Sequence, residues 1–334
     1  MSKSKFNADD ASLSVDLSEA RQAVKENRFQ DALDLFAIIL KDDPEHIDSL
    51  YLASVSSRYL KKFEESKKFI QRLMGIAPDM GRAYQELGHI YRDMGKIDKS
   101  AVHYRQACEL NPALLASWSA LYKYFTENKN QPAADHAREQ IEKLQSLPPA
   151  LLYIDQIMNE GRLGIAETQC RAFLKKNPTH TYAMSLLSEI ANRLGYFDDA
   201  EFLLEKAVEF KPKDGDLRMK YAQILRKKQK FAKTLEQVNI LCDQYPDNHS
   251  YQAQKASEIM QNGDHEAAIK LLDNILQKNP YNFSTFTSKG HAQKTLGQTD
   301  EAIKSYQTAY KIKPDHGEAF FSLANLKTYS FSKD

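Results

Sequence analysis

With 46 basic and 45 acidic side chains among 334 residues, the chain carries a net charge of only +1. That balance excludes a polycation built to coat nucleic acid and an acidic disordered tail. A hydrophobic share of 42% beside 27% charged residues is the composition of an ordinary folded chain with apolar material for a core.

Residues 1–12 (MSKSKFNADDAS) open without the apolar stretch of an export signal, and a flexible tail is expected there. The longest apolar run, residues 35–40 (LFAIIL), falls far short of the about 20 residues that span a bilayer. Cys108, Cys170 and Cys242 are odd in number and more than 60 residues apart, so they frame neither a disulfide set nor a CxxC metal pair. These features point to a cytoplasmic protein with no membrane partner.

Beyond the tail the chain keeps a period. Pro44, Pro78 and Pro112 stand 34 residues apart, as do Pro178, Pro212, Pro246, Pro280 and Pro314. The 66 residues from Pro112 to Pro178 hold two units if one has lost two residues and ends at Ser146, which makes nine units. Twelve residues before the proline stand Ala32, Ser66, Ser100, Ala166, Ala200, Thr234, Ala268 and Ala302, the small side chains that close helix contact requires. Eight before it the residue is apolar or aromatic: Phe36, Ile70, Tyr104, Cys170, Leu204, Val238, Leu272 and Tyr306. Seventeen before it stand Asn27, Gly95, Gly161, Gly195, Gly263 and Gly297, residues that end a helix. Around that turn apolar residues recur at helical spacing, as in Tyr84, Leu87, Gly88 and Tyr91, so each unit reads as two antiparallel helices.

The fourth unit, 115–146, keeps Trp118, Leu121 and Ala134 but has neither a glycine turn nor a closing proline. Residues 144–152 (LQSLPPALL) are expected to bend the stack there. After Pro314 a tenth unit begins at Gly317, Glu318 and Ala319, and its second helix is missing from the sequence. Phe320, Leu323 and Leu326 are then expected to lie partly uncovered, a face through which two copies could form a homo-dimer.

These columns resemble the tetratricopeptide repeat (TPR), whose pattern runs from an aromatic through Leu-Gly, Tyr, Ala, Phe and Ala to a closing Pro. The third unit carries the likeness in Tyr84, Leu87-Gly88, Tyr91, Gly95, Tyr104, Ala107 and Pro112. The ninth carries it in Phe286, Gly290, Gly297, Ala302, Tyr306, Ala309 and Pro314. The resemblance implies an all-α fold, a right-handed α-solenoid of about nine helix-turn-helix repeats plus a tenth first helix. In this frame 13–146 holds repeats one to four with the fourth degenerate, 147–316 holds repeats five to nine, and 317–334 is an incomplete tenth repeat.

In such a scaffold the first helices of successive units line a concave groove. The candidate groove residues are Tyr51, Arg58 and Tyr59 in the second unit, Arg82, Gln85, His89 and Arg92 in the third, and Lys123 in the fourth. Arginine binds carboxylates bidentately and tyrosine adds rigid contact area, so this set fits an extended protein or peptide segment bearing an acidic group. Val55 in the second unit belongs to the same inner face, and later first helices add Asp155, Tyr182, Glu189, Arg193, Gln223, Arg226, Lys227, His291 and Lys294. The lysine and asparagine clamp of chaperone-binding members cannot be placed on three consecutive first helices.

Phosphate-cradling, dinucleotide, zinc-protease and nucleophile-elbow motifs are all missing, so no catalysis and no cofactor are expected within the chain. His103 and Cys108 are five residues apart and so point roughly 140° from each other on a helix, which excludes a shared metal. The basic run Arg226, Lys227, Lys228 and Lys230 lies at a turn with acidic neighbours and reads as solvated, not as a nucleic-acid site.

The segment 317–332 (GEAFFSLANLKTYSFS) also resembles the junction between repeats and catalytic domain in bacterial TPR-sulfotransferases. Gly317-Glu318-Ala319, the run from Ser322 to Thr328, and Phe331-Ser332 carry the match. That family transfers sulfate from the donor PAPS. The resemblance implies a protein-binding repeat region ahead of a downstream sulfotransferase domain, with PAPS as a cofactor only there. The alternative is a stand-alone assembly or regulatory factor with no enzymatic partner domain.

Overall fold

A computed structural model describes residues 8–326, with side chains from Leu17 onward. Every regular element among these residues is an α-helix. The helices come in pairs: α1 (Ala8–Lys25) with α2 (Phe29–Asp42), α3 (Ile47–Tyr59) with α4 (Phe63–Ile76), and α5 (Gly81–Asp93) with α6 (Ile97–Leu110). They continue as α7 (Leu115–Glu127) with α8 (Gln131–Gln145), α9 (Pro149–Asn159) with α10 (Leu163–Lys176), and α11 (Thr181–Arg193) with α12 (Phe197–Phe210). The last are α13 (Gly215–Lys227) with α14 (Phe231–Gln244), α15 (His249–Gln261) with α16 (His265–Lys278), α17 (Phe283–Thr295) with α18 (Thr299–Ile312), and the single helix α19 (Gly317–Ala324). This is an α-solenoid of helix pairs. Residues 1–7 of the expected tail lie outside the described residues, and α1 begins at Ala8.

The turn inside each pair has one construction. The residue seventeen before the closing position takes a left-handed backbone in all nine units, and in four of them it is not glycine: Asn27, Lys61, Lys129 and Gln229, at φ 56° to 61°. The next residue's N–H returns to a carbonyl five residues earlier, as Lys96 to Tyr91 at 2.8 Å and Asn130 to Phe125 at 2.9 Å. This arrangement satisfies the carbonyls that a helix end leaves open. Lys129 therefore makes the turn that the fourth unit's missing glycine seemed to deny, and α7 and α8 form a complete pair.

Packing follows the columns. The eight residues two turns into the second helices, from Phe36 to Tyr306, are all at most 2% exposed, and the small residues four positions earlier, from Ala32 to Ala302, at most 4%. At Gly88 the first helix lies so close to Tyr104 that a Cβ would meet the ring at 2.7 Å. Cys108 and Cys170 are buried thiols and Cys242 is half-buried.

The chain divides into two compact units, Met1–Cys170 and Arg171–Asp334. In the first, the core gathers around Phe36, Ile39, Leu50, Ile70, Leu73 and Ile90. Neighbouring pairs touch through residues about one repeat apart, such as Arg58 with Glu86 and Gln85 with Ser117.

The start of the fifth pair breaks that rule. Pro148 and Pro149 open α9, which then reaches back to the third pair: Gln156 Nε2 donates to the Ala113 carbonyl at 3.0 Å, and Asn111 Nδ2 donates to the Gln156 carbonyl at 3.1 Å. Beyond its end, Glu160 pairs with Arg82 across 78 residues of sequence. Leu151, Ile154, Ile157 and Met158 of α9 are buried.

In the second compact unit, Leu204, Leu217, Tyr221 and Leu225 form one core cluster, and Tyr306, Leu323 and Leu326 another. Leu323 and Leu326 were expected to be uncovered; both are buried, because α19 packs on α18 through Ala302 and Tyr306. Phe320 and Phe321 remain exposed, the first with its ring 6.0 Å from Tyr310.

Candidate functional site

The eight groove candidates sit on α3, α5 and α7, and the structure separates them into two groups. Arg58 was expected to face a partner. Instead its side chain is 8% exposed and its donors are spent inside the protein: Nε on Glu86 Oε1 at 2.6 Å, Nη2 on Glu86 Oε2 at 3.3 Å and Nη1 on Asp93 at 3.0 Å. Glu86 is itself 2% exposed, and burial pushes its carboxyl up to about 7 while Arg58 pulls the other way. A guanidinium with three acceptors in place has little left for a ligand.

Arg82 is also committed internally. Its Nη2 lies 2.7 Å from Glu160 Oε2, and its guanidinium stands over the Tyr51 ring at 4.9 Å. Burial raises the pKa values of both Tyr51 and Glu160, the latter opposed by Arg82. The tyrosine–arginine pair assigned to an acidic partner does bind a carboxylate, and that carboxylate belongs to this chain.

Gln85 Nε2 donates to Ser117 Oγ at 3.0 Å, joining the third pair to the fourth. His89 Nδ1 is 2.6 Å from the Tyr104 hydroxyl, and burial, with Arg58 and Arg92 adding positive charge nearby, pushes the imidazole down to about 4. It is therefore neutral at physiological pH.

Tyr59, Arg92 and Lys123 keep open surface. Tyr59 is 55% exposed and stacks on Phe29 with centroids 4.5 Å apart. The Arg92 side chain is 47% exposed and binds Asp93 through Nε and Nη2. Lys123 is 78% exposed, with only Glu127 nearby at 3.9 Å. The three lie in the second halves of three successive first helices, one aromatic and two cationic groups.

In the second compact unit the basic run is not a solvated turn. Lys228 binds Asp198 and Glu201, Lys230 binds Glu201 at 2.6 Å, and Arg226 Nη1 reaches the fully buried Glu258 at 3.0 Å. Arg226, Lys228 and Lys230 each hold an acid of a neighbouring pair, and Lys227 Nζ donates to Asn192 Oδ1 at 2.7 Å. No helix among the described residues is long and apolar enough to cross a membrane.

Sequence reasoning missed the acids Glu86, Asp93, Glu160 and Glu258. One left a trace. Glu86 occupies a mixed column, with Leu52, Ala120, Leu152 and Leu186 but also Ser18, Lys220, Gln254 and Ser288, whereas Glu258 occupies a mainly apolar one with Ile90, Ile190 and Ile224. An acid in an apolar column implies a buried cation beside it.

Among curated proteins, the tetratricopeptide repeat-containing protein trd-1 of Caenorhabditis elegans is 26% identical over 134 residues, which is 40% of this chain and 16% of that relative's length. Two solved structures are similar. YrrB, described as a TPR protein with an unusual peptide-binding site, is 16% identical with a TM-score of 0.45, over 55% of this chain and 96% of that one. MamA is 16% identical, also with a TM-score of 0.45, over 49% of this chain and 96% of that one. The tetratricopeptide repeat family pattern matches residues 81–114, 182–214 and 283–316. Those three stretches are similar to the tetratricopeptide repeat, and the same turn column and helix pairing run through the units around them.

Proposed function

We propose that the chain is a protein-binding scaffold that holds an extended partner segment along the first helices of its second to fourth units. The observation that carries this reading is the exposure of Tyr59, Arg92 and Lys123 on the successive first helices α3, α5 and α7. Arg58 with Glu86 and Asp93 joins α3 to α5, Gln85 with Ser117 joins α5 to α7, and Arg82 with Glu160 ties α5 to the end of α9. Rigid aromatic area and exposed cations suit a segment with acidic side chains.

The test is photo-crosslinking with p-benzoylphenylalanine placed at Tyr59 or Lys123 in the full chain, expressed in the source cells. An adduct of one discrete mass is expected from both positions and none from Val102, which is equally exposed but lies on the second helix α6. Adducts from position 102 alone would move the interface off the first helices and end this reading.

A second reading rests on the likeness of residues 317–332 to the junction of bacterial TPR-sulfotransferases. Lys327, Thr328, Phe331 and Ser332 of that segment lie outside the described residues. In this reading the scaffold presents an acceptor protein to a domain that takes sulfate from PAPS. The full-length product of the source gene should then transfer labelled sulfate from PAPS to a protein acceptor. Without transfer, the stand-alone assembly or regulatory factor is the reading that survives.

A further inference from the structure

Two columns of the repeat lapse together in the eighth unit. Six residues after the closing proline other units carry a large side chain, such as Leu50, Tyr84, Trp118, Met184 and Phe286, where the eighth has Gln252. Nine residues after it stand Ala53, Leu87, Leu121, Leu187, Tyr221 and Leu323, all buried, where the eighth has Lys255. The ninth unit's lysine in that column, Lys289, is held by Asp273.

Gln252 keeps the place of the larger residues without their bulk. Its Nε2 donates to the Pro246 carbonyl, as Trp118 Nε1 does to that of Pro112 and Arg218 Nη2 to that of Pro212. In the fourth unit the Trp118 ring packs on a cluster that includes Cys108 and Leu121. The equivalents of those two are Cys242 and Lys255, and the glutamine has no ring to lay against them. What stands there is a cavity of about 370 Å³, whose walls include Cys242 of α14, Gln252 and Lys255 of α15, and Leu271, Asn274 and Lys278 of α16. Small-molecule pockets begin at roughly 300 Å³.

The walls carry two cations and no acid. Neither Lys255 nor Lys278 forms an ion pair among the described residues; Asp273 is taken by Lys289, and Asp243 on α14 lies outside the walls. Burial raises the pKa of the Cys242 thiol and Lys255 opposes the rise, so that ammonium stands near the sulfur.

We infer that this cavity is a binding site for a small aromatic molecule bearing an anionic group. The ring takes the slot that Trp118 fills in the fourth unit, against Leu271 and Cys242, while Lys255 and Lys278 hold the charge. Ammonium groups also favour an aromatic over an alkyl occupant, through attraction to the ring face. Two of the three walls are second helices, so the site is not the first-helix surface of the scaffold reading, and either can fail alone.

The probe is 1-naphthalenesulfonate, whose fused rings resemble the tryptophan indole, titrated calorimetrically into the full chain at low salt. A single site is expected, and the bound probe should slow alkylation of Cys242 by iodoacetamide, followed by peptide mass spectrometry. Gln252→Trp fills the slot from within, so it should weaken binding at least about tenfold and raise the unfolding midpoint. Lys255→Gln with Lys278→Gln leaves the slot open but removes two charge-assisted contacts, and should also weaken binding about tenfold or more. Tryptamine, a ring of opposite charge, and methanesulfonate, an anion without a ring, should not bind measurably. Absence of binding, no protection of Cys242, equal binding of tryptamine, or full affinity in the lysine variant would each overturn the assignment, as would full affinity in a folded Gln252→Trp protein.

Discussion

Replacing Arg58 by alanine should destabilise the protein by about 3–5 kcal/mol, the cost of leaving a buried carboxylate without its cation. Glu86 is 2% exposed and would keep no guanidinium in contact, while Asp93 would retain Arg92. The loss is read as a lower midpoint of urea or thermal unfolding. It carries a pH signature whose sign follows from the raised pKa of Glu86. Burial already holds that carboxyl near 7 against the pull of Arg58, and without Arg58 it moves higher still. Where Glu86 is protonated in both folded proteins, the variant lacks only a hydrogen-bond partner. Where it must ionise, the variant bears the full desolvation. The deficit should therefore be smallest near pH 5 and grow as pH rises past about 7. A deficit unchanged from pH 5 to 9 would show that the pair contributes packing alone. Arg58→Met with Glu86→Leu should recover most of the loss, since a buried pair can be exchanged for apolar groups at little cost.

The second large effect comes from one substitution with opposite signs at two sites. Gly290→Ala should destabilise by about 1–3 kcal/mol, because overpacking outweighs the gain in helix propensity. A Cβ there would lie 2.5 Å from Tyr306 Cε1 and 2.7 Å from Cδ1. That ring is fully buried and its hydroxyl is 2.9 Å from His291 Nδ1, so it has no free direction in which to retreat. Gly75→Ala, inside α4 with nothing within 4 Å of its new methyl, should stabilise by about 0.5–1 kcal/mol. Thermal melts of the two variants decide the matter. Equal shifts in one direction would mean that propensity, not the approach of helix and ring, governs these positions.

The repeat was legible in the sequence because each column answers a local need. A helix end wants a residue at positive φ, a close crossing wants a small one, and the core wants an apolar one, all at a 34-residue period. Lys61, Lys129 and Gln229 show that register can outvote residue preference, since each adopts the left-handed turn that glycine takes elsewhere. The candidate site was less legible. Its arginines were visible, but what they bind is 28 residues away for Glu86, 35 for Asp93 and 78 for Glu160. Pairing at that range is decided by tertiary geometry, which no column of the sequence records. Likewise Pro148 and Pro149 signalled a break, but no local rule says in which direction α9 leaves.

That direction alters how the first compact unit holds together. A plain stack is a sum of neighbour terms: its ends can fray separately, and a repeat can be removed with the remainder closing up. Here Arg82 with Glu160, and Gln156 with Asn111 and Ala113, tie the fifth pair to the third over the head of the fourth. Residues 115–146 are thus enclosed in a loop whose closure must be made before those contacts can form, an entropic toll absent from a one-dimensional array. The fourth unit, the least regular in sequence, has become the one that cannot be excised without opening the structure on both sides.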